Sequence, residues 1–211
     1  FIKINDDVLF TKYSSYQNYI DGIRPVVEDV KEYDGGFYRM EKLHHRQKND
    51  NFALGIRGLS NSTSTLNADA IQLINYFGYS GRAHLTQYNG GTPFSDSLLG
   101  VKYVIDKSSS EKLNGIYEPI DEIENEDYKV YRNPYALSLA YGGSKDLLEF
   151  DMEDLTTFFS RSNSLLPTML GEEGDIDIFK PVSNLNTHSG NCKEVEMMTS
   201  VKYTAPADYT G

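Results

Sequence analysis

A chain of 211 residues with 39% apolar content, 16 tyrosines and 10 phenylalanines can build one substantial core, since a domain takes about 100–200 residues. Its formal net charge of −11 excludes nucleic acid and disfavours an anionic lipid surface, because acidic side chains gain no counterion release from a phosphate backbone. The single Cys192 excludes an internal disulfide framework, and no stretch reaches the ~18–20 consecutive apolar residues of a membrane span.

Apolar side chains at Tyr16, Tyr19, Ile20, Ile23, Val27 and Val30 fall at helical spacing, which predicts a helix over Lys12–Tyr33 that Pro25 kinks or divides in two. Asp34-Gly35-Gly36 is expected to end it through a left-handed glycine. Phe37–Leu43 alternates as a strand. A second helix is predicted from about Thr65 to Phe77, with the hydroxyls of Ser60–Thr65 as its cap and Gly78 as its terminator. Asn89–Pro93 is a turn, Asp96–Leu99 a helical turn, and Val101–Asp106 a strand dense enough in apolar residues to be central. The acidic stretch from Lys107 to Glu126 reads as a peripheral loop. Tyr128–Tyr131 and Ala136–Tyr141 read as strands joined at Pro134, and Met152–Leu170 as a helix broken near Ser162–Ser164 and ended by Gly171. Asp177–Pro181 and Glu194–Tyr203 are further strand candidates. Helices and strands interleave without a βαβ rhythm, so the predicted class is α+β: a mixed sheet with flanking helices. Residues 1–174 form the main domain and residues 175–211 the start of a β-rich, truncated subdomain.

Two polar constellations stand out. Arg39, Glu41, Arg46, Asn49 and Asp50 follow one another around the first strand, where Arg39 and Glu41 share a face and can pair or hold a sugar hydroxyl. Tyr88, Asn89 and Asp96 flank the glycine turn, and an aromatic face beside planar amides suits a pyranose ring. His44-His45 places its two rings on opposite faces of an extended chain, so they share no metal. We expect no metal and no cofactor. No Gly-x-Ser-x-Gly elbow or paired-carboxylate arrangement supports a catalytic centre.

GFYRMEKLHHRQKND at Gly36–Asp50, SNSTSTLN at Ser60–Asn67, YNGGTPFSDSLLGVKYVI at Tyr88–Ile105 and VYRNPYALSLAYGG at Val130–Gly143 together resemble the extracytoplasmic region of the bacterial YfhO family. These are large multipass membrane proteins of the glycosyltransferase type that take sugars from polyprenyl-phosphate carriers. The resemblance spans roughly Tyr16 to Pro181, with Ser138 standing where the family has proline. It implies a domain on the extracellular face of the plasma membrane, belonging to an enzyme that glycosylates an envelope polymer such as teichoic acid. Catalytic carboxylates of that class sit in early loops between membrane helices, which this chain lacks, so the chain alone is expected to be inactive. On this reading Arg39, Glu41, Asn49, Asp50, Tyr88 and Asp96 are the candidate sugar-binding residues, meeting donor or acceptor sugar on one concave face. The alternatives are a secreted carbohydrate-binding or adhesion module, and a purely structural scaffold domain.

Overall fold

The computed structural model describes residues 12–151, 157–174, 176–180, 193–197 and 200–204. They fall in two compact units, Phe1–Ile178 and Phe179–Gly211. In the first, the apolar stripe predicted at the N-terminus forms one continuous helix, α1 (Tyr13–Tyr33), which buries Ile20, Ile23, Val26, Val27 and Val30. Each such side chain contributes about 1.5–3 kcal/mol when removed from water. Pro25 does not divide it. The proline and Asp21, whose carbonyl it leaves unpaired, are both exposed, so water satisfies what the missing N–H does not. The end of α1 also differs from expectation: Asp34 turns extended while its N–H bonds Val30 O, and its carboxylate accepts Gly36 N at 2.8 Å. Neither Gly35 nor Gly36 is left-handed.

The central sheet contains β1 (Arg39–Lys42), β5 (Val101–Lys107), β6 (Glu118–Pro119) and β7 (Tyr128–Arg132) in the order β1-β5-β7-β6. β1 runs parallel to β5, whereas β7 is antiparallel to both of its neighbours. The sheet is therefore mixed and the class α+β, as expected. A register shift between Arg39↔Val101 and Met40↔Tyr103 leaves Lys102 as an extra residue. Such a bulge re-aims the side chains that follow it. Val101 and Val104 thus belong to one cluster with Leu59, Tyr79, Leu113, Tyr117 and Tyr131, while Tyr103 and Ile105 pack with α1 on the other face. The sheet is clad on both sides, which accounts for the unbroken apolar character of β5.

A second, antiparallel sheet takes β2 (Asn61–Ser62), β3 (Ser80–Arg82) and β4 (Leu85–Gln87) in the order β2-β4-β3. The short helix α2 (Asp50–Leu54) ends at a left-handed Gly55. Helix α3 (Ala68–Tyr76) is capped by Asn67, whose Oδ1 accepts Asp69 N at 2.7 Å and Ala70 N at 3.1 Å. The Ser60–Thr65 hydroxyls do not cap it. Helix α4 (Pro93–Leu98) begins at a Thr92/Ser95 capping box with proline at its first position. Helix α5 (Phe158–Leu170) is unbroken and ends at a left-handed Gly171. Its internal Pro167 is tolerated because Ile176 N donates to Asn163 O, the carbonyl that the proline leaves unpaired.

Three strand expectations are corrected. Residues 136–141 are not a strand: Pro134 ends β7, and Leu137 N bonds Ser97 O at the end of α4. The described residues 177–180 carry no strand. The acidic stretch read as a loop contributes edge strand β6 and buries Leu113, Tyr117, Ile120 and Ile123. Part of the predicted helix, 152–156, and Cys192 lie outside the described residues. In the second unit, β8 (Lys193–Met197) and β9 (Ser200–Thr204) pair as an antiparallel hairpin.

Candidate functional site

Two polar centres adjoin the central sheet. The first is Asp96. The capping box of α4 fixes the helix start, with Thr92 N on Ser95 Oγ at 2.7 Å, and the next residue turns its carboxylate into the interior, where it is 3% exposed. Three phenols converge on it. Tyr79 donates to Oδ1 at 2.5 Å, Tyr88 to Oδ2 at 2.7 Å, and Tyr117 also to Oδ2. Burial raises the Asp96 carboxyl pKa, and the three phenolic hydrogen bonds only partly offset this. Burial and the neighbouring carboxylate push Tyr79, Tyr88 and Tyr117 well above the ordinary phenol value, so the phenols remain donors. Gly90-Gly91 makes the approach possible: a Cβ on Gly91 would stand 2.0 Å from the Tyr79 ring. Gly90, at φ +91°, has a backbone that other residues rarely adopt.

The second centre is built on β1. Glu41 is fully buried and its Oε1 accepts Ser60 N at 2.7 Å, Asn51 Nδ2 at 3.1 Å and Leu59 N. Gly58 leaves room for that carboxylate, since a Cβ there would stand 2.4 Å from Glu41 Oε1. Lys42, 1% exposed, reaches Asn51 Oδ1 at 3.0 Å, His45 Nδ1 at 2.8 Å and Asp50 Oδ2 at 3.8 Å. Desolvation pulls its ammonium down to about 8, against the opposing fields of Glu41 and Asp50. Ser60 joins the two centres: its N–H serves Glu41, and its hydroxyl accepts Tyr88 N at 2.9 Å.

The first centre and the edge of the second open into a cleft of about 580 Å³. Its lining includes His45, Lys48, Gln87, Tyr88, Asn89, Asp96, Lys112, Ile116 and Tyr117. Of the six candidate sugar-binding residues, Tyr88 and Asp96 line this cleft together. Glu41 and Asp50 belong to the polar network behind its wall, with both Asp50 oxygens accepting Gln47 N at 3.0 Å. Arg39 and Asn49 lie apart from it. The Arg39 guanidinium donates to Leu99 O, and Asn49 is bound to the backbone of Ser62 through Nδ2 at 2.9 Å and Oδ1 at 2.8 Å. The six therefore do not meet on one open face: Glu41, Asp50 and Asp96 are buried with their oxygens engaged. Sequence reasoning missed Lys42, Asn51, Ser60, Tyr79 and Tyr117. Two consecutive buried charges on a strand defy alternation, and Tyr117 lies in a stretch whose acidity masks its buried positions. Among the described residues, no group of three or more His, Cys, Asp or Glu side chains is placed to hold a metal ion.

A family model described as bacterial membrane protein YfhO matches residues 1–210. No curated protein and no solved structure matches the chain.

Proposed function

Because the chain belongs to the YfhO family of bacterial membrane proteins, we propose that it is the extracytoplasmic domain of a multipass membrane glycosyltransferase acting on an envelope polymer such as teichoic acid. In this role it holds a sugar of the polyprenyl-phosphate donor or of the acceptor in the cleft and leaves transfer to other parts of the enzyme. No described helix is long and apolar enough to cross a membrane.

The observation that carries the reading is the lining of the cleft. Gln87 and Asn89 bring carboxamides that make no side-chain hydrogen bond among the described residues, next to the Tyr88 and Tyr117 rings and the aliphatic Ile116. A pyranose needs this combination: donors and acceptors for its hydroxyls, and apolar surface for its C–H face. Tyr88 and Asp96 form the inner wall, and the network of Glu41 and Asp50 supports it.

The test is an NMR titration of the 211-residue chain with teichoic-acid fragments and simple amino sugars. Shifts clustered at Gln87–Thr92 and His45 support the reading, and turnover by the chain itself would contradict it. A second reading, a scaffold domain without ligand, is favoured by the internal pairing of Glu41, Asp50 and Asp96, and it predicts no clustered shifts.

A further inference from the structure

Beyond the sugar site, we propose that the same cleft selects a ligand carrying an anionic group, a phosphate or a carboxylate, through Lys48 and Lys112. This inference rests on the cleft being a ligand site.

The two ammonium groups come from loops far apart in the chain. Lys48 lies between β1 and α2, and Lys112 between β5 and β6, yet both line the one opening. Neither makes an ion pair or a side-chain hydrogen bond among the described residues. Two unneutralised positive charges at one concave opening concentrate anions there, because a cleft focuses the field of its lining.

The carboxylate at the floor does not cancel this attraction. Asp96 is buried beneath the phenols of Tyr79, Tyr88 and Tyr117, which together occupy both of its oxygens. Burial also favours its neutral form. Its remaining capacity to attract a cation is therefore low, whereas the rim charges are exposed and ready. The free amides of Gln87 and Asn89 supply neutral donors in the same lining, and they leave the ligand's hydroxyls a second set of partners. The chemistry recognised is thus a small hydroxylated unit bearing one negative group. The lysines act as point charges rather than as a planar fork, so they accept a tetrahedral phosphate and a planar carboxylate alike.

The experiment is a calorimetric or NMR titration of the 211-residue chain, at low and at high salt, with glucose, glucuronate, glucose 6-phosphate, inorganic phosphate and choline. Glucuronate and glucose 6-phosphate are expected to bind at least tenfold more tightly than glucose, and to lose that advantage in 0.5 M salt, where exposed charges are screened. Lys48→Gln and Lys112→Gln should each weaken both anionic ligands by roughly fivefold, the worth of one exposed ion pair. Lys129→Gln, which removes the same charge at an exposed residue that does not line the opening, should leave affinity within twofold. Thermal melts of the variants confirm that the fold is intact, since both lysines are exposed. The relative strength of the glucuronate and glucose 6-phosphate arms identifies the anionic group. Equal affinity for glucose and its anionic relatives would overturn this inference while leaving the sugar site standing. Binding of inorganic phosphate that depends on Lys48 and Lys112, with no added affinity from a sugar ring, would uphold the anion site and remove the sugar reading. Preference for choline, or equal effects of all three lysine variants, would overturn the proposal.

Discussion

Replacing Glu41 by Gln removes one charge from the buried network with almost no change in volume, and the structure sets the size of the effect. In the native protein Oε1 takes three donors, and Oε2 accepts Lys42 N at 3.3 Å. Glutamine keeps one acceptor oxygen for Leu59, Ser60 and Asn51 but sets an NH2 against the Lys42 N–H. The bonds that remain lose their charge assistance, which separates bonds worth ~1.5–3 kcal/mol from neutral ones worth ~1 kcal/mol. The Lys42 ammonium also loses a counter-charge inside the protein, and breaking a buried pair costs ~3–5 kcal/mol when the remaining charge must stay. Here it need not stay: with its ammonium already pulled down to about 8, Lys42 sheds its proton at pH 7 for about 1.4 kcal/mol, one pH unit's worth. The total is therefore ~3 kcal/mol at pH 7, or a Tm lowered by roughly 6–12 °C for a domain of this size. At pH 9 Lys42 is largely neutral in the native protein too, so the penalty should shrink. Thermal unfolding of Glu41→Gln and native protein at pH 7 and pH 9 provides the check. A loss below about 1 kcal/mol, or a loss equal at both pH values, would refute the assignment of Glu41 as the counter-charge that keeps Lys42 protonated.

Gly91→Ala drives a methyl group into the Tyr79 ring and should displace that phenol from Asp96, at a cost of ~1–3 kcal/mol, read as a lowered Tm with altered near-ultraviolet circular dichroism. Ile105→Ala, in the sheet centre at 1% exposure, should cost ~2–5 kcal/mol. The half-buried Leu99 should respond less to the same truncation. Stability should also respond to alkali with a predictable sign. Tyr79, Tyr88 and Tyr117 are raised above the unfolded phenol value, so their contribution is complete below pH ~10 and is lost as pH rises beyond it. Lys42, lowered to about 8, acts oppositely, because between pH 8 and its unfolded value of ~10.5 the unfolded chain binds the extra proton. Denaturant unfolding should therefore show stability level or rising from pH 8 to 10, then falling by roughly 4 kcal/mol by pH 11.

Periodicity located α1, β1, β5 and β7, because their buried side chains recur at spacings that only one geometry puts on one face. Pro25 was misjudged, and for a reason sequence does not carry: what matters is where the orphaned carbonyl goes, and Asp21 stands exposed to water. Ala136–Tyr141 alternates like a strand yet finds no sheet edge, and its pairing with Ser97 is a tertiary fact. At the site, Tyr88 and Asp96 were legible as neighbours across a glycine turn. Glu41 and Asp50 were legible as polar residues but not as buried ones, since a lone strand pattern does not reveal that the backbone amides of Leu59 and Ser60 will arrive to satisfy a carboxylate. Lys112 was hidden inside an acidic stretch whose like charges read as solvated surface.

The central claim is that the cleft serves glycosyl transfer by the membrane protein without performing it. It is tested most directly by filling the cleft in the full-length protein with Asn89→Trp and measuring the sugar content of the envelope polymer in cells that depend on it. The account predicts that polymer glycosylation falls severalfold while the protein's amount in the membrane stays the same. Unchanged glycosylation at an unchanged protein level would contradict it.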